Sequence, residues 1–491
     1  MDPLIRSKVL MVVKIPRKLI KWWKMFSSLE QHELMQKLGT LTSLLDIAPR
    51  PDLVEAMLTY WDPQNLIFRF GECEMTPTLV EMSGLTRLSY IGKDMILLRD
   101  HSRTRFLSDL GLKDNKHLKC LEQSWISLDY LFARFGPQDS FDVFWDEFTT
   151  KAKWQRRRLE AFSLALLGLL GFPLDERHIS TRLQSVVMVL FHEKQRKTVT
   201  VVPIILAELY RALSEARGGV RYFEGSNLLL QLWMMEHLHT ASLLCPIDRA
   251  LRDRVVCIEH RMKSPKFTYL VGVTAWIEFL GLRTNGNVLW AYLWLPLDDI
   301  LVGCLMQPFL MLIGLKCVRP YTPVRVMRQL GRRQEEPPTL NLRRHIINFS
   351  KKAADEIKYV QYWNNAKRMK KTILVEDVGS PECTQEYLIS LQSIPPGVST
   401  PLPAQLRGRA VQTDDFEEAS DQDPWDKLEL IKSQLAGLTA NVEQHGQYLF
   451  RVGLQDAGAH ARAFIASIGV SLQGMLQSLS MTDSPGPSRS G

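Results

Sequence analysis

The residue types that could do chemistry are few and scattered. His237 and His239 stand two apart, with Cys245 a few positions on, a donor set that raises the question of a metal. On a helix, positions i and i+2 point about 200° apart, so the two rings do not face one ion. A structural zinc site also wants four ligands at closer pairing. Ordinary helix-face histidines are the simpler reading. Carboxylates are the second candidate: Asp139, Asp142, Asp146 and Glu147 lie close together. The last three alternate with Phe141, Phe144, Trp145 and Phe148, the pattern of an amphipathic helix with an acidic outer and an aromatic inner face.

The motifs that organise common chemistries are missing. There is no G-x-x-x-x-G-K-[ST] loop for phosphates and no H-E-x-x-H. G-x-S-x-G is absent too, as is the Asp-Thr/Ser-Gly triplet, and Gly168 to Gly171 lacks dinucleotide-fingerprint spacing. The expectation is a protein that is not an enzyme, with no catalytic residues, no metal and no cofactor. Seven cysteines, at 73, 120, 245, 257, 304, 317 and 383, form no close pair. That usage fits a reducing compartment, with thiols acting as small apolar side chains.

Charge says more. The 491-residue chain carries a formal net charge of +8. Between Arg319 and Lys371 there are 14 Lys/Arg and four Asp/Glu, a local net of +10. The candidate contacts for nucleic acid, or for nuclear import, are Arg325, Arg328, Arg332, Arg333, Arg343, Arg344, Lys367, Arg368, Lys370 and Lys371. Lys351 and Lys352 add to the cluster, and Arg156-Arg157-Arg158 forms a smaller one. Such a concentration neutralises phosphates and makes binding steeply salt dependent. Lys367-Arg368-Met369-Lys370-Lys371 is similar to a basic import signal. A solvated helical face is the competing reading of the same residues. Tyr359, Tyr362 and Trp363 nearby are suited to stacking on bases, with core packing as the alternative.

These residues need a scaffold, and the composition supplies one. With 45% hydrophobic and 23% charged residues the chain can bury a sizeable core. Leu4 to Met25 is basic and amphipathic, suited to anionic lipid, to targeting, or to an exposed arm that ends where Trp22 and Trp23 pack. Leucines from Leu29 to Leu45 recur at near-helical spacing until Pro49 and Pro51; Leu53 to Trp61 is a second helix, and Leu66 to Phe70 a short strand closed by Gly71. Thr76-Pro77-Thr78 with Glu81 marks a helix start, either with Pro77 in the first turn or with Thr78 and Glu81 as a capping box. Helix-length apolar blocks follow at 162–170, 201–213, 228–238 and 268–280, with a strand at 198–202. The longest apolar stretch, Ile300 to Leu315, contains Gln307 and Pro308 and falls short of the roughly 20 residues a span needs. It is expected to be a buried core helix, and no integral membrane span is expected.

Beyond Ile394 the composition turns to proline and an acidic cluster. Then Leu428, Ile431, Leu435, Leu438, Val442, His445, Leu449 and Val452 follow 3-4 spacing, a coiled-coil seam weakened by Gly437 and Gly446. The fold class is therefore mainly α: a large helical globular domain with a few short strands, then a disordered linker and a C-terminal coiled coil. The boundaries are a basic arm at 1–21, the domain at 22–393, the linker at 394–424, the tail at 425–480 and a disordered end at 481–491.

Three blocks carry a family resemblance. The first is Tyr60-Trp61-Asp62-Pro63, Phe68-Arg69-Phe70-Gly71 and Glu74-Met75-Thr76-Pro77-Thr78-Leu79. The second runs from Val201 to Glu208 and from Phe223 to Trp233. The third is Arg319-Pro320-Tyr321 with Arg325-Val326-Met327-Arg328-Gln329-Leu330-Gly331 and Gln334. In order and spacing the chain resembles the plant mobile domain family, in its retrotransposon-associated, aminotransferase-like branch, over roughly residues 20–390. The resemblance implies a mobile-element ancestry and links to transposon silencing, genome stability and development. It supplies no catalytic residue and no pyridoxal-binding lysine. Arg332-Arg333-Gln334-Glu335-Glu336-Pro337-Pro338 departs from the family pattern by adding charge.

The expected function is that of a non-enzymatic nuclear interaction protein, with the cytoplasm as the alternative location. Its expected partners are a protein, nucleic acid and a second copy of itself through the C-terminal helix. The alternatives are a metal-dependent nuclease or transposase remnant, or an element-encoded product with no host function.

Overall fold

A computed structural model describes residues 10–393 with interruptions. The longest are at 239–269, 350–362 and 371–381, with shorter ones within 91–149, at 193–198, within 293–306 and at 364. The expected linker, coiled-coil tail and disordered end lie outside the described residues.

The described part is mainly α with small sheets. Its first helix, α1 (Arg17–Lys24), follows Pro16, whose fixed φ suits a helix entry. α1 buries Leu19 and Trp22 completely. The Trp22 ring meets Phe132 and Phe162 edge-on, with centroids 5.9 and 5.5 Å away. Leu10, Val12 and Val13 are buried as well, and Met11 bridges to Tyr222. The boundary drawn at residue 21 thus falls inside α1. An arm was expected because the cations dominate the composition; the apolar residues between them pack into the domain from Leu10 onward.

α2 (Ser28–Leu38) starts on a capping box: Glu30 N–H donates to Ser27 Oγ, and Ser27 N–H to Glu30 Oε2. A 3-10 stretch (Gly39–Asp46) and α3 (Pro51–Thr59) follow. Strands β1 (Trp61–Asp62), β2 (Ile67–Phe70) and β3 (Cys73–Met75) form an antiparallel meander, with Trp61 opposite Phe68 and Phe68 opposite Met75. Gly71 turns the chain at φ +53°, and a Cβ there would lie 2.0 Å from the Arg283 carbonyl oxygen. Only glycine fits that approach. α4 (Leu79–Thr86) then begins at Thr78, so the capping-box alternative is the one observed.

Beyond the meander, α5 (Leu128–Phe135) and α6 (Lys151–Leu166) pack together, and α1 and α2 lie on α6. The expected acidic and aromatic helix after Asp139 is only Ser140–Val143. Phe141 packs near Trp154, but Trp145 is 67% exposed, so of the two described aromatics only Phe141 turns inward. Phe144, Asp146, Glu147 and Phe148 lie outside the described residues. α7 (Val202–Arg217) is the central strut: it is buried from Val202 to Leu213 and packs on α3, α4 and three strands. α8 (Asn227–His237) is buried throughout.

Residues 300–315 correct the expected core helix. The chain forms β4 (Asp299–Cys304) and β5 (Leu310–Ile313), and the next strand is β6 (Cys317–Tyr321). β5 and β6 pair antiparallel, with Leu310 opposite Tyr321. Pro308 denies a helix its N–H, and Gly303 and Gly314 break the run. β7 (Ile347–Asn348) extends that sheet, and β8 (Ala366–Lys370) pairs with β4. One contiguous apolar core runs from Leu10 to Trp363. Among the described residues no helix is long and apolar enough to cross a membrane.

Candidate functional site

The three sequence blocks meet in the interior. Glu81, at the third position of α4, has no exposure. Its Oε2 accepts from the Thr78 N–H (2.9 Å), the Thr78 hydroxyl (2.8 Å) and the Trp233 indole N–H (2.9 Å). Gln329 Nε2 donates to Oε1 at 2.9 Å. His237 Nε2 stands 3.0 Å from the same oxygen. Trp233 and His237 occur four apart on α8, so one helix face delivers both. Gln329 comes from the 3-10 turn Met327–Leu330, and its amide also pairs with the backbone of Thr76, accepting from N–H and donating to C=O at 2.9 Å each.

The His237 tautomer follows from geometry. Nδ1 lies 2.6 Å from the Leu289 carbonyl oxygen, which can only accept, so Nδ1 carries a proton. Neither His237 nor Glu81 reaches solvent, so the pair is closed to a substrate in this arrangement. Tyr210 and Tyr292 complete the hub by donating to the Pro77 and Trp233 carbonyls at 2.7 and 2.9 Å. Buried polar groups must be paired to be tolerated. Here the pairing joins segments more than 200 residues apart.

Two further networks brace the hub. Arg325 Nε donates to Glu74 Oε1 at 2.9 Å and Nη1 to Asn65 at 3.0 Å, which ties the meander to the Pro323–Arg325 turn. Arg211 on α7 binds Glu208 at 2.6 Å, Glu224 at 3.0 Å and Glu215. Glu208 also accepts from the Lys316 N–H at 2.7 Å. Burial alone would raise the Glu208 pKa; Arg211 and the Lys316 N–H overcome it, and the carboxyl stays below its usual range. The carboxylates that do converge therefore converge on a guanidinium. Among the described residues no group of three or more His, Cys, Asp or Glu could hold a metal.

The ten basic candidates divide. Arg325, Arg328 and Arg332 are buried. Arg328 lies over the Trp290 ring, 3.8 Å from its centroid, and donates to Asn285 at 2.8 Å; Arg332 donates to the Leu330 carbonyl at 3.2 Å. The reading of these three as exposed contacts is corrected: charge counting cannot show which way a side chain points, and the partners of Arg325 and Arg328 are distant in sequence. Gln334 ties the same loop, accepting from the Met327 N–H and donating to the Val324 carbonyl. Arg333, Arg343 and Arg344 are exposed. Lys367, Arg368 and Lys370 lie on β8, in register with Gly303, Leu301 and Asp299, so the main chain of the import-like run is already paired. Lys371, Lys351, Lys352, Tyr359 and Tyr362 lie outside the described residues, as do His239 and Cys245. Trp363 is buried. Of the smaller cluster, Arg158 is buried against Glu30 at 3.1 Å, while Arg156 and Arg157 both pair with Glu160. Cys73, Cys304 and Cys317 are buried thiols.

The Glu81–His237 pairing was not foreseen. Its local signal was the Thr78/Glu81 capping box; nothing in the sequence links that box to α8.

A mainly helical domain whose sequence blocks sink into one polar hub defines the class. The chain belongs to the plant mobile domain family, whose model matches residues 39–390. That membership points to a transposon-related origin. No curated protein and no solved structure matches the chain.

Proposed function

We propose that the chain is a non-enzymatic nuclear interaction protein, acting in transposon silencing or genome maintenance through protein and nucleic-acid contacts. The observation that carries this reading is where the family's sequence blocks go. Thr76, Thr78, Glu208, Trp233, Arg325, Arg328, Gln329 and Gln334 are all committed to internal hydrogen bonds. Residues that build a rigid scaffold in this way leave recognition to the exposed surface and to segments outside the domain, as loops and tails on scaffolds generally do. The net charge of +8 favours anionic partners.

The C-terminal heptads give the second part of the proposal, self-association through residues 425–480. The test combines three readouts: localisation in plant cells, salt-dependent nucleic-acid binding, and solution mass with and without residues 425–480. Nuclear accumulation, binding that weakens steeply with salt, and an oligomer that becomes a monomer on deletion are expected. A cytoplasmic, monomeric protein that ignores nucleic acid would contradict it.

A further inference from the structure

We infer that the outer face of α1 is a docking surface for the phosphate backbone of nucleic acid. Residues 3–29 contain seven Lys/Arg and no carboxylate. At 3.6 residues per turn, Arg17, Lys21 and Lys24 fall within an arc of about 60°. All three are exposed. Leu19 and Trp22 occupy the opposite side and are fully buried.

Like charges crowd the stripe: Arg17 and Lys21 are four apart and Lys21 and Lys24 three apart, so they are mutually repulsive neighbours. Arg17 sits in the first helical turn, where the dipole disfavours a cation and no acid offsets it, while Lys21 and Lys24 sit in the last turn, where the dipole favours them. Among the described residues none of the three has an ion-pair partner. The nearby acids are engaged elsewhere: Asp129 with Lys18, Glu30 with Arg158, and Glu160 with Arg156 and Arg157. Burial of Leu19 and Trp22 outweighs this repulsion and holds the helix docked. An unneutralised cation row on a fixed helix is suited to a polyanion.

The burial also decides which polyanion. An amphipathic helix enters a membrane with its apolar face, but here Leu19 and Trp22 are inside the protein. Only charge is available, which suits a phosphate backbone. The other exposed candidates are sparser, since Arg333 is followed by Glu335 and Glu336, and Arg343-Arg344 is a pair. α1 precedes the family match at residues 39–390, so the stripe is outside the part shared with the family.

The inference rests on the reading that the protein contacts nucleic acid, and the experiment separates the two. Full-length protein and the triple variant Arg17→Gln/Lys21→Gln/Lys24→Gln are titrated into a labelled duplex DNA across a range of salt. Each phosphate contact contributes about 0.9 to the slope of log K against log salt. The variant is expected to lose about 2.7 from that slope and more than tenfold in affinity at about 100 mM salt, with an unchanged or slightly raised melting temperature. Arg333→Gln/Arg343→Gln/Arg344→Gln is run beside it. If this second variant removes the slope and the α1 variant does not, the inference fails and nucleic-acid binding stands. If the wild type does not bind DNA, both fail. If phosphatidylserine vesicles, and not DNA, are bound through α1, the stripe belongs to a membrane and the inference is overturned.

Discussion

Replacing Glu81 with alanine should collapse the centre of the fold. The carboxylate accepts from the N–H and hydroxyl of Thr78, from Trp233 and from Gln329, and faces His237. Alanine leaves the Trp233 indole, the Gln329 amide and the His237 Nε2 edge buried without that partner. Each buried donor left without its partner costs about 1–3 kcal/mol, against a total stability of roughly 5–15 kcal/mol. Glu81→Gln is gentler. Its carbonyl oxygen can take the Thr78 and Trp233 donors, and its amide can donate to a neutral His237, while its NH₂ opposes that of Gln329. A loss of about 1–2 kcal/mol is expected. Urea denaturation followed by circular dichroism reads both, with the midpoint moving and the slope constant if only stability changes. A Glu81→Ala protein within about 0.5 kcal/mol of wild type, the scatter of ordinary surface substitutions, would refute the hub's structural role.

Arg325→Met should cost about 1–3 kcal/mol, because Glu74 loses one partner but keeps Arg69 at 3.4 Å, and Arg325→Lys should recover only part of that, because an ammonium cannot reproduce the fork that reaches both Glu74 and Asn65; urea midpoints compare them. Glu208 is held below its ordinary 4.5 in the folded state, so its contribution to stability is complete above that value and is lost as pH falls through the folded-state value. Stability measured from pH 6 down to pH 3 should therefore fall less steeply in Glu208→Gln than in the wild type. Burial pushes the Cys73 thiol up to about 12, so it should resist iodoacetamide at pH 8 until urea unfolds the chain; peptide mass spectrometry checks the labelling against the unfolding curve.

Local features were legible in the sequence and long-range ones were not. The Thr78/Glu81 box and the Ile67–Phe70 strand closed by Gly71 depend on neighbours within a few positions, and both are present. At Ile300–Leu315 apolar content was mistaken for a helix, because a continuous apolar run carries no period to separate helix from buried strand. Pro308 and the two glycines held the better signal. The basic cluster shows the same limit in charge. Arg325 meets Glu74 across 251 positions, and one chain's sequence does not reveal such a pairing, so a count of cations misread three buried arginines as surface. The α1 stripe was visible as composition, but only the burial of Leu19 and Trp22 shows which side faces out.

Under the proposed function, the protein recognises an anionic partner on a scaffold whose shared residues hold the fold. The most direct test incubates purified full-length protein with labelled DNA, with and without Mg²⁺ or Mn²⁺, and reads binding and strand integrity together. Salt-steep binding to DNA that stays intact under every condition is expected. Divalent-dependent cleavage that disappears in a carboxylate variant of unchanged stability would contradict it.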